Sequence, residues 1–299
     1  MYTQWFEVAD PRFETLILPN VHVDLLFDGG RWLEGPVHVP AARHVLFSDI
    51  PNNRLMRYNE CDGSVSVFES PSAFKNGNTL DRLGRVVSCE HQTRRVTRRE
   101  HDGSLTVLAD AFEGRRLNSP NDVVAASDGS VWFTDPTYGI STEYEGGRFE
   151  SEIGSRNVYR IDPSGSVAAV VTDLVQPNGL AFSLDERTLY IADSGSKPSR
   201  LLAYDAVEGR AENPRLLSES EAGIYDGFRI DRHGNIWTSA ADGVHCLDAD
   251  GRLLGKIRLP ETVANVAFGG LAGNRLYICA TRKLFAVYLN TTGAHTVSG

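Results

Sequence analysis

The sequence predicts an all-β chain, a six-bladed β-propeller built of four-stranded antiparallel blades. Two observations predict it. An oxygen-bearing polar residue opens an apolar run six times, at Glu34, Asn76, Asn121, Asn178, Asp226 and Asn265, in steps of 42, 45, 57, 48 and 39 residues. A period of that size in a chain of short strands belongs to propellers. Twelve or thirteen residues after each opener comes a second β-prone segment: Phe47–Asp49, Ser88–Glu90, Phe133–Asp135, Ile191–Asp193, Thr238–Ala240 and Ile278–Ala280.

The elements follow in order. Blades are expected over about 34–290 of one closed domain, 1–299. The sixth repeat lacks a fourth strand of its own. An N-terminal segment of about 13–28 closes the ring, either Phe13–Leu18 or Val21–Phe27, which removes an exposed edge. In the second repeat the strands run near Asn76–Leu80, Arg85–Cys89, Arg95–Arg99 and Ser104–Ala109. Turn pairs recur between strands: Asp62-Gly63, Asp102-Gly103, Asp128-Gly129, Ser164-Gly165, His233-Gly234 and Asp250-Gly251. Glycine there supplies the positive φ that a hairpin turn needs. Third strands are expected at Arg54–Tyr58, Asn157–Ile161, Arg200–Tyr204, Val244–Leu247 and Lys283–Val287, and a short helix at Ser218–Ala222. The third repeat is long, and its excess, Pro136–Ser155, lies between strands two and three on the face of the openers. An ordered loop in that place covers a pocket mouth.

Composition narrows the partners. Apolar and charged shares of 41% and 23% are those of a soluble globular protein. A net charge of −9 excludes nucleic acid, which demands clustered cations. The basic run Arg94–Arg99 reads as a solvated strand. Cys61, Cys89, Cys246 and Cys279 have no metal-type spacing and are expected free and reduced, as in the cytoplasm. Met1–Pro11 lacks the apolar core of a signal peptide, and no run is long enough to span a membrane. A monomer or homodimer acting on a small molecule is expected.

Pseudo-symmetry gathers the openers about one axis. Two are carboxylates, Glu34 and Asp226, and four are amides. Hard oxygen donors with two negative charges suit one divalent ion, Ca2+ first, with Mg2+, Mn2+ or Zn2+ left open. Glu34, Asn178 and Asp226 make a minimal ligand set and Asn121 is next, whereas Asn76 and Asn265 line the pocket or bind water. Pro36, Pro120 and Pro177 flank three openers and stiffen the strand entries. A second ring, Asp49, Glu90, Asp135 and Asp193, ends the second strands. It orients ligands, binds substrate hydroxyls, or forms turns. His91 follows Glu90 and reaches toward the pocket. There is no Gly-x-Ser-x-Gly elbow, His-Glu-x-x-His or phosphate loop, and Ser194 has no base beside it.

At Leu33–Pro36, Ser119–Asp122, Val131–Asp135, Gln176–Leu180, Tyr190–Asp193 and Asp226-Gly227 the chain resembles the gluconolactonase / senescence marker protein (regucalcin) family. Cys89–Val96 and Asp135–Gly139 are similar to its gluconolactonase branch. The resemblance implies a six-bladed propeller with one catalytic divalent metal on Glu34, Asn178 and Asp226, Asn121 near it, and Asp226 handling the proton. It implies a lactonase that opens a sugar (aldono-)lactone such as gluconolactone to the free acid. Asn121, Ser119, Asn76, Glu90, His91, Asp135 and Tyr138 are then the substrate-lining candidates. Ser119 departs from the animal members, which carry a substrate-contacting arginine there. The rival expectations are an organophosphate or aryl-ester hydrolase on the same scaffold, and a non-catalytic binding propeller that the metal only staples.

Overall fold

A computed structural model describes residues 4–294. Residues 1–3 and 295–299, the two ends of the expected 1–299 domain, lie outside the described residues. Six antiparallel blades follow one another among the described residues, beside a two-stranded ribbon of Ala111–Phe112 and Arg115–Arg116; within each blade the strands run in sequence order apart from N-terminal strands added to the last two. Their innermost strands are Leu33–Val39, Lys75–Leu80, Val123–Ala125, Pro177–Phe182, Phe228–Ile230 and Val263–Gly269. The turn chemistry is as the sequence demands: Gly63, Gly103, Gly129, Gly165, Gly234 and Gly251 all take φ between 73° and 90°. A Cβ there would be strained, so each Gly marks a hairpin the chain can make cheaply.

The sixth sheet is completed by Asp24–Asp28, which pairs antiparallel with Lys283–Tyr288. Of the two candidate closing stretches it is therefore the second. The other begins as a 3-10 turn, Pro11–Thr15, whose Asp10 side chain accepts the Arg12 N–H at 2.9 Å. Proline at its first turn pre-sets φ and has no N–H to lose. The turn drives Phe13 against Trp237, with ring centroids 5.9 Å apart. Phe6–Val8, which no sequence pattern marks, adds a fifth strand to blade five beside Leu253–Arg258. Three half-buried residues carry too little pattern to be read.

The helix expected at Ser218–Ala222 does not form. Arg210–Glu219 is a strand of ten residues paired with Arg200–Val207, and Ser218 lies opposite Leu201. Pairing outweighs the weak local preference of a Ser-Glu-Ser-Glu stretch. Among the described residues the α-helix is a single turn, Tyr138–Ser141, inside the blade-three insertion. No described helix is long and apolar enough to cross a membrane.

Blades pack face to face through large apolar side chains. Trp132 meets Phe182 edge-on at 5.4 Å between blades three and four, and Phe27 of the closing strand meets Phe47 of blade one at 5.9 Å. Each such ring contributes about 1.5–3 kcal/mol by burial. At the junction of blades six and one, the Arg275 guanidinium lies over Tyr58, Tyr277 and Tyr288 at 5.9, 5.4 and 5.0 Å. The four cysteines are free, with Cys61 exposed and the others buried.

Candidate metal centre and lactone pocket

A backbone ring spaces the openers. The N–H after one opener donates to the carbonyl of the next: Gly77 to Asn121 at 2.7 Å, Gly179 to Asp226 at 3.1 Å, and Gly227 to Ala264 at 2.8 Å. Strand register agrees. Asn78, Val123, Leu180 and Phe228 pair with Ser88, Phe133, Ile191 and Thr238, and each lies two residues after its opener. In blade six Val266 pairs with Ile278, so the equivalent position is Ala264, not Asn265. The sixth member of the expected ring is therefore corrected to an alanine. The hairpin causes the offset: Val266 and its partner Ile278 are 12 positions apart, against 10 or 11 for the equivalent pairs of blades two to five, so counting back from the second strand lands one residue late. Asn265 is fully engaged: its Oδ1 accepts from Val266 N–H at 2.8 Å, and its Nδ2 donates to Glu34 Oε2 at 3.0 Å.

Glu34 and Asp226 are 4% and 8% exposed. Gly35, at φ +49°, turns its N–H back onto Glu34 Oε2 at 2.8 Å. Burial pushes Glu34 up to about 7, with Asp122 and Glu145 adding negative charge. Burial also pushes Asp226 well above the usual carboxylate range, and Glu34, Glu145 and Asp122 push it further. Among the described residues no Lys, Arg or His pairs with either carboxylate. Two buried acids without a counter-charge, beside amide oxygens and no thiolate, fit a hard divalent ion. Among the described residues no three His, Cys, Asp or Glu side chains form a metal cluster, so a site here draws on amides.

Asp122 and Glu145, which the repeat did not single out, both act on the two buried carboxylates. Asp122 occupies in blade three the place of Asn265 in blade six: its Oδ1 accepts from Val123 N–H at 2.9 Å, and Arg229 pairs with its Oδ2 at 3.3 Å. An acid directly after an opener was the signal available. Glu145 belongs to the insertion, where no repeat could align it.

The second ring holds the chain as it enters the inner strands. Asp49 accepts from Arg31 N–H at 3.0 Å, Asp135 from Asn118 N–H at 2.8 Å, and Asp193 from Gln176 N–H at 2.9 Å. Each donor lies two or three residues before its opener. Glu90 instead pairs with Lys75, the residue before Asn76, at 3.3 Å, and with Arg95 at 2.6 Å. Burial pushes Asp135 up to about 7, and its Oδ1 has no hydrogen-bond partner.

The insertion is fastened over the openers. Ser119 Oγ donates to Pro136 O at 2.7 Å and accepts from Gly139 N–H at 3.0 Å. His91 is buried, and burial lowers it to about 4, so the ring is neutral. A carbonyl only accepts, so Nδ1–H donates to Glu145 O at 2.8 Å, and Nε2 accepts from Asn76 Nδ2 at 3.2 Å. Gly139 packs so close that a Cβ would lie 2.3 Å from the imidazole. Tyr138 OH meets Ser194 Oγ at 2.8 Å, and Asn178 Nδ2 donates to Ser194 Oγ at 3.1 Å.

The family model for the SMP-30/Gluconolactonase/LRE-like region matches residues 32–282. The chain belongs to this family. It is 30% identical to a gluconolactonase of Zymomonas mobilis over 95% of this chain and 85% of that one. It is 30% identical to a pentonolactonase of Haloferax volcanii over 82% of this chain and 80% of the other. The solved structure of a gluconolactonase from Xanthomonas campestris superimposes with a TM-score of 0.90 at 35% identity, over 95% of this chain and 94% of that one.

In this member of the SMP-30/gluconolactonase family a cavity of about 520 Å³ lies farther along the inner strands, lined by Pro36, Asn78, Val124, Ala181, Arg229 and Ala267. Each of these residues follows its blade's opening position by two or three residues, so the cavity is distinct from the Glu34–Asp226 pair.

Proposed function

We propose that this protein is a metal-dependent lactonase that hydrolyses aldonolactones such as gluconolactone to the free acids. The observation that carries the reading is the buried Glu34–Asp226 pair, without a cationic partner among the described residues, beside the Asn178 amide in a chain of a lactonase-containing family. Glu34, Asn178 and Asp226 hold the divalent ion, Ca2+ first, and Asn121 stands next to it. When bound there, the ion polarises the lactone carbonyl and balances the two carboxylates. Asp226 takes a proton from the water that attacks the carbonyl carbon. As the bond from that carbon to the ring oxygen breaks, Asp226 returns the proton to that oxygen, leaving a hydroxy acid.

Substrate hydroxyls meet Asn121, Asn76 and Tyr138. Ser119 and His91 act one step back, since both ends of each polar group are already engaged by the insertion or by Asn76. Glu90 and Asp135 secure strand entries. Free thiols at all four cysteines favour a reducing compartment, the cytoplasm.

The test is a panel of aldonolactones assayed with a pH indicator after chelator stripping, with Ca2+, Mg2+, Mn2+ or Zn2+ restored singly. Turnover that vanishes on stripping and returns with an ion is expected. Turnover indifferent to chelation sinks the metal role. Turnover of phosphotriesters or aryl esters but of no lactone assigns another hydrolase activity, and no turnover with a chelator-sensitive melting temperature leaves a stapled binding module.

A further inference from the structure

We propose that Ser194 and Tyr138 form a relay that fixes the amide of Asn178, so that the blade-three insertion sets the affinity of the metal site. The inference rests on the metal-dependent reading above. It gives a role to the Asp193–Ser196 motif, in which a serine without a base has no nucleophilic function.

The proton count decides the orientation. Ser194 Oγ has one hydrogen and three neighbours: Gln176 O at 3.2 Å, Tyr138 OH at 2.8 Å and the Asn178 amide at 3.1 Å. A backbone carbonyl cannot donate, so the serine hydrogen goes either to Gln176 O, which also accepts Ser194 N–H at 3.1 Å, or to Tyr138 OH. In both cases Ser194 Oγ accepts from Asn178 Nδ2, because the same amide also bonds the Asp226 carboxylate and the reversed amide would set oxygen against oxygen there. With Nδ2 held, Oδ1 is the free end of the amide, and among the described residues no donor takes it. A free amide oxygen on a side chain that also bonds the buried Asp226 carboxylate is what a hard cation requires.

Ser194 is held rigidly for the task. Its own N–H donates to Gln176 O at 3.1 Å, and it is buried at the end of the second strand of blade four. Tyr138 comes from the single helical turn of the insertion, so the relay joins blade three to blade four above the cage. Ser194 and Tyr138 are thus positioning residues for the metal, and Tyr138 also lines the pocket.

The test titrates chelator-stripped wild type, Ser194→Ala, Tyr138→Phe and the double variant with Ca2+, Mg2+, Mn2+ and Zn2+ by calorimetry. Metal-free melting temperatures are measured alongside. For the ion wild type binds best, Ser194→Ala is expected to bind about ten- to a hundredfold more weakly, and Tyr138→Phe about fivefold more weakly. The double variant should match Ser194→Ala within about twofold, because both changes break one relay. Metal-free melting of Tyr138→Phe, which leaves no amide N–H unpaired, should stay within about 2 °C of wild type, which separates positioning from mere structural support. Wild-type affinity in both single variants, or losses that simply multiply, overturns the relay while leaving the metal reading intact. A wild type that takes up no divalent ion overturns both. If Ser194→Ala does not fold, the Tyr138→Phe titration decides alone.

Discussion

Asn265 donates to Glu34 across the junction of the last and first blades, at 3.0 Å and over 231 positions of sequence. The same amide accepts Val266 N–H, so one side chain secures a strand entry and a carboxylate of the proposed cage. Ring closure and site geometry are therefore one structural event.

Asn265→Ala leaves a buried N–H unpaired and removes a donor from a buried carboxylate. The expected cost is about 1–3 kcal/mol of stability. Urea unfolding of the metal-free protein measures it, and an unchanged midpoint would show that the bond carries no weight.

Asp226→Asn should keep the fold and abolish most turnover, by about 10²–10⁴-fold. Because burial and the Glu34 charge disfavour the ionised form of Asp226, the metal-free variant should melt no lower than wild type at neutral pH. A variant that retains wild-type turnover removes Asp226 from the chemistry.

Asp135 predicts a pH signature. Its folded pKa is raised from 3.8 to about 7 by burial, so between these values the folded chain holds a proton that the unfolded chain has lost. Stability from this group is full below the unfolded value and falls as pH rises, by at most about 1.4 kcal/mol per pH unit. Asp135→Asn keeps an acceptor for Asn118 N–H and should flatten that part of the curve. Identical pH profiles for the two proteins refute the assignment.

His91→Leu is closer to the imidazole in volume than a phenyl ring but strands Asn76 Nδ2 and Glu145 O. The insertion should then be cut faster in limited proteolysis, and KM for an aldonolactone should rise by several fold, on the order of one lost hydrogen bond. Unaltered cleavage of 136–155 would mean that His91 does not anchor it.

Much of this was legible in the sequence. The strand repeats and the glycine turns follow from period and side-chain type alone, while the Glu34, Asn178, Asp226 set is a proposal that rests on period, side-chain type and the family resemblance. The offset of Asn265 was hidden because the blade-six hairpin is a residue or two longer and an asparagine happens to follow the opening position. The choice between the two closing stretches was hidden because both are apolar, and only Pro11 and the docking of Phe13 distinguish them. The carboxylate ring of Asp49, Asp135 and Asp193 was visible, but its orienting role depends on backbone donors. Glu145 lay outside any repeat, so nothing in the pattern pointed to it.

The strand Asp24–Asp28 waits for Lys283–Tyr288. During synthesis on the ribosome it emerges first and has no partner until the last blade is made. Glu34 likewise gains Asn265 only then. A truncated nascent chain therefore carries an unmatched sheet edge and a Glu34 carboxylate that still lacks its blade-six donor.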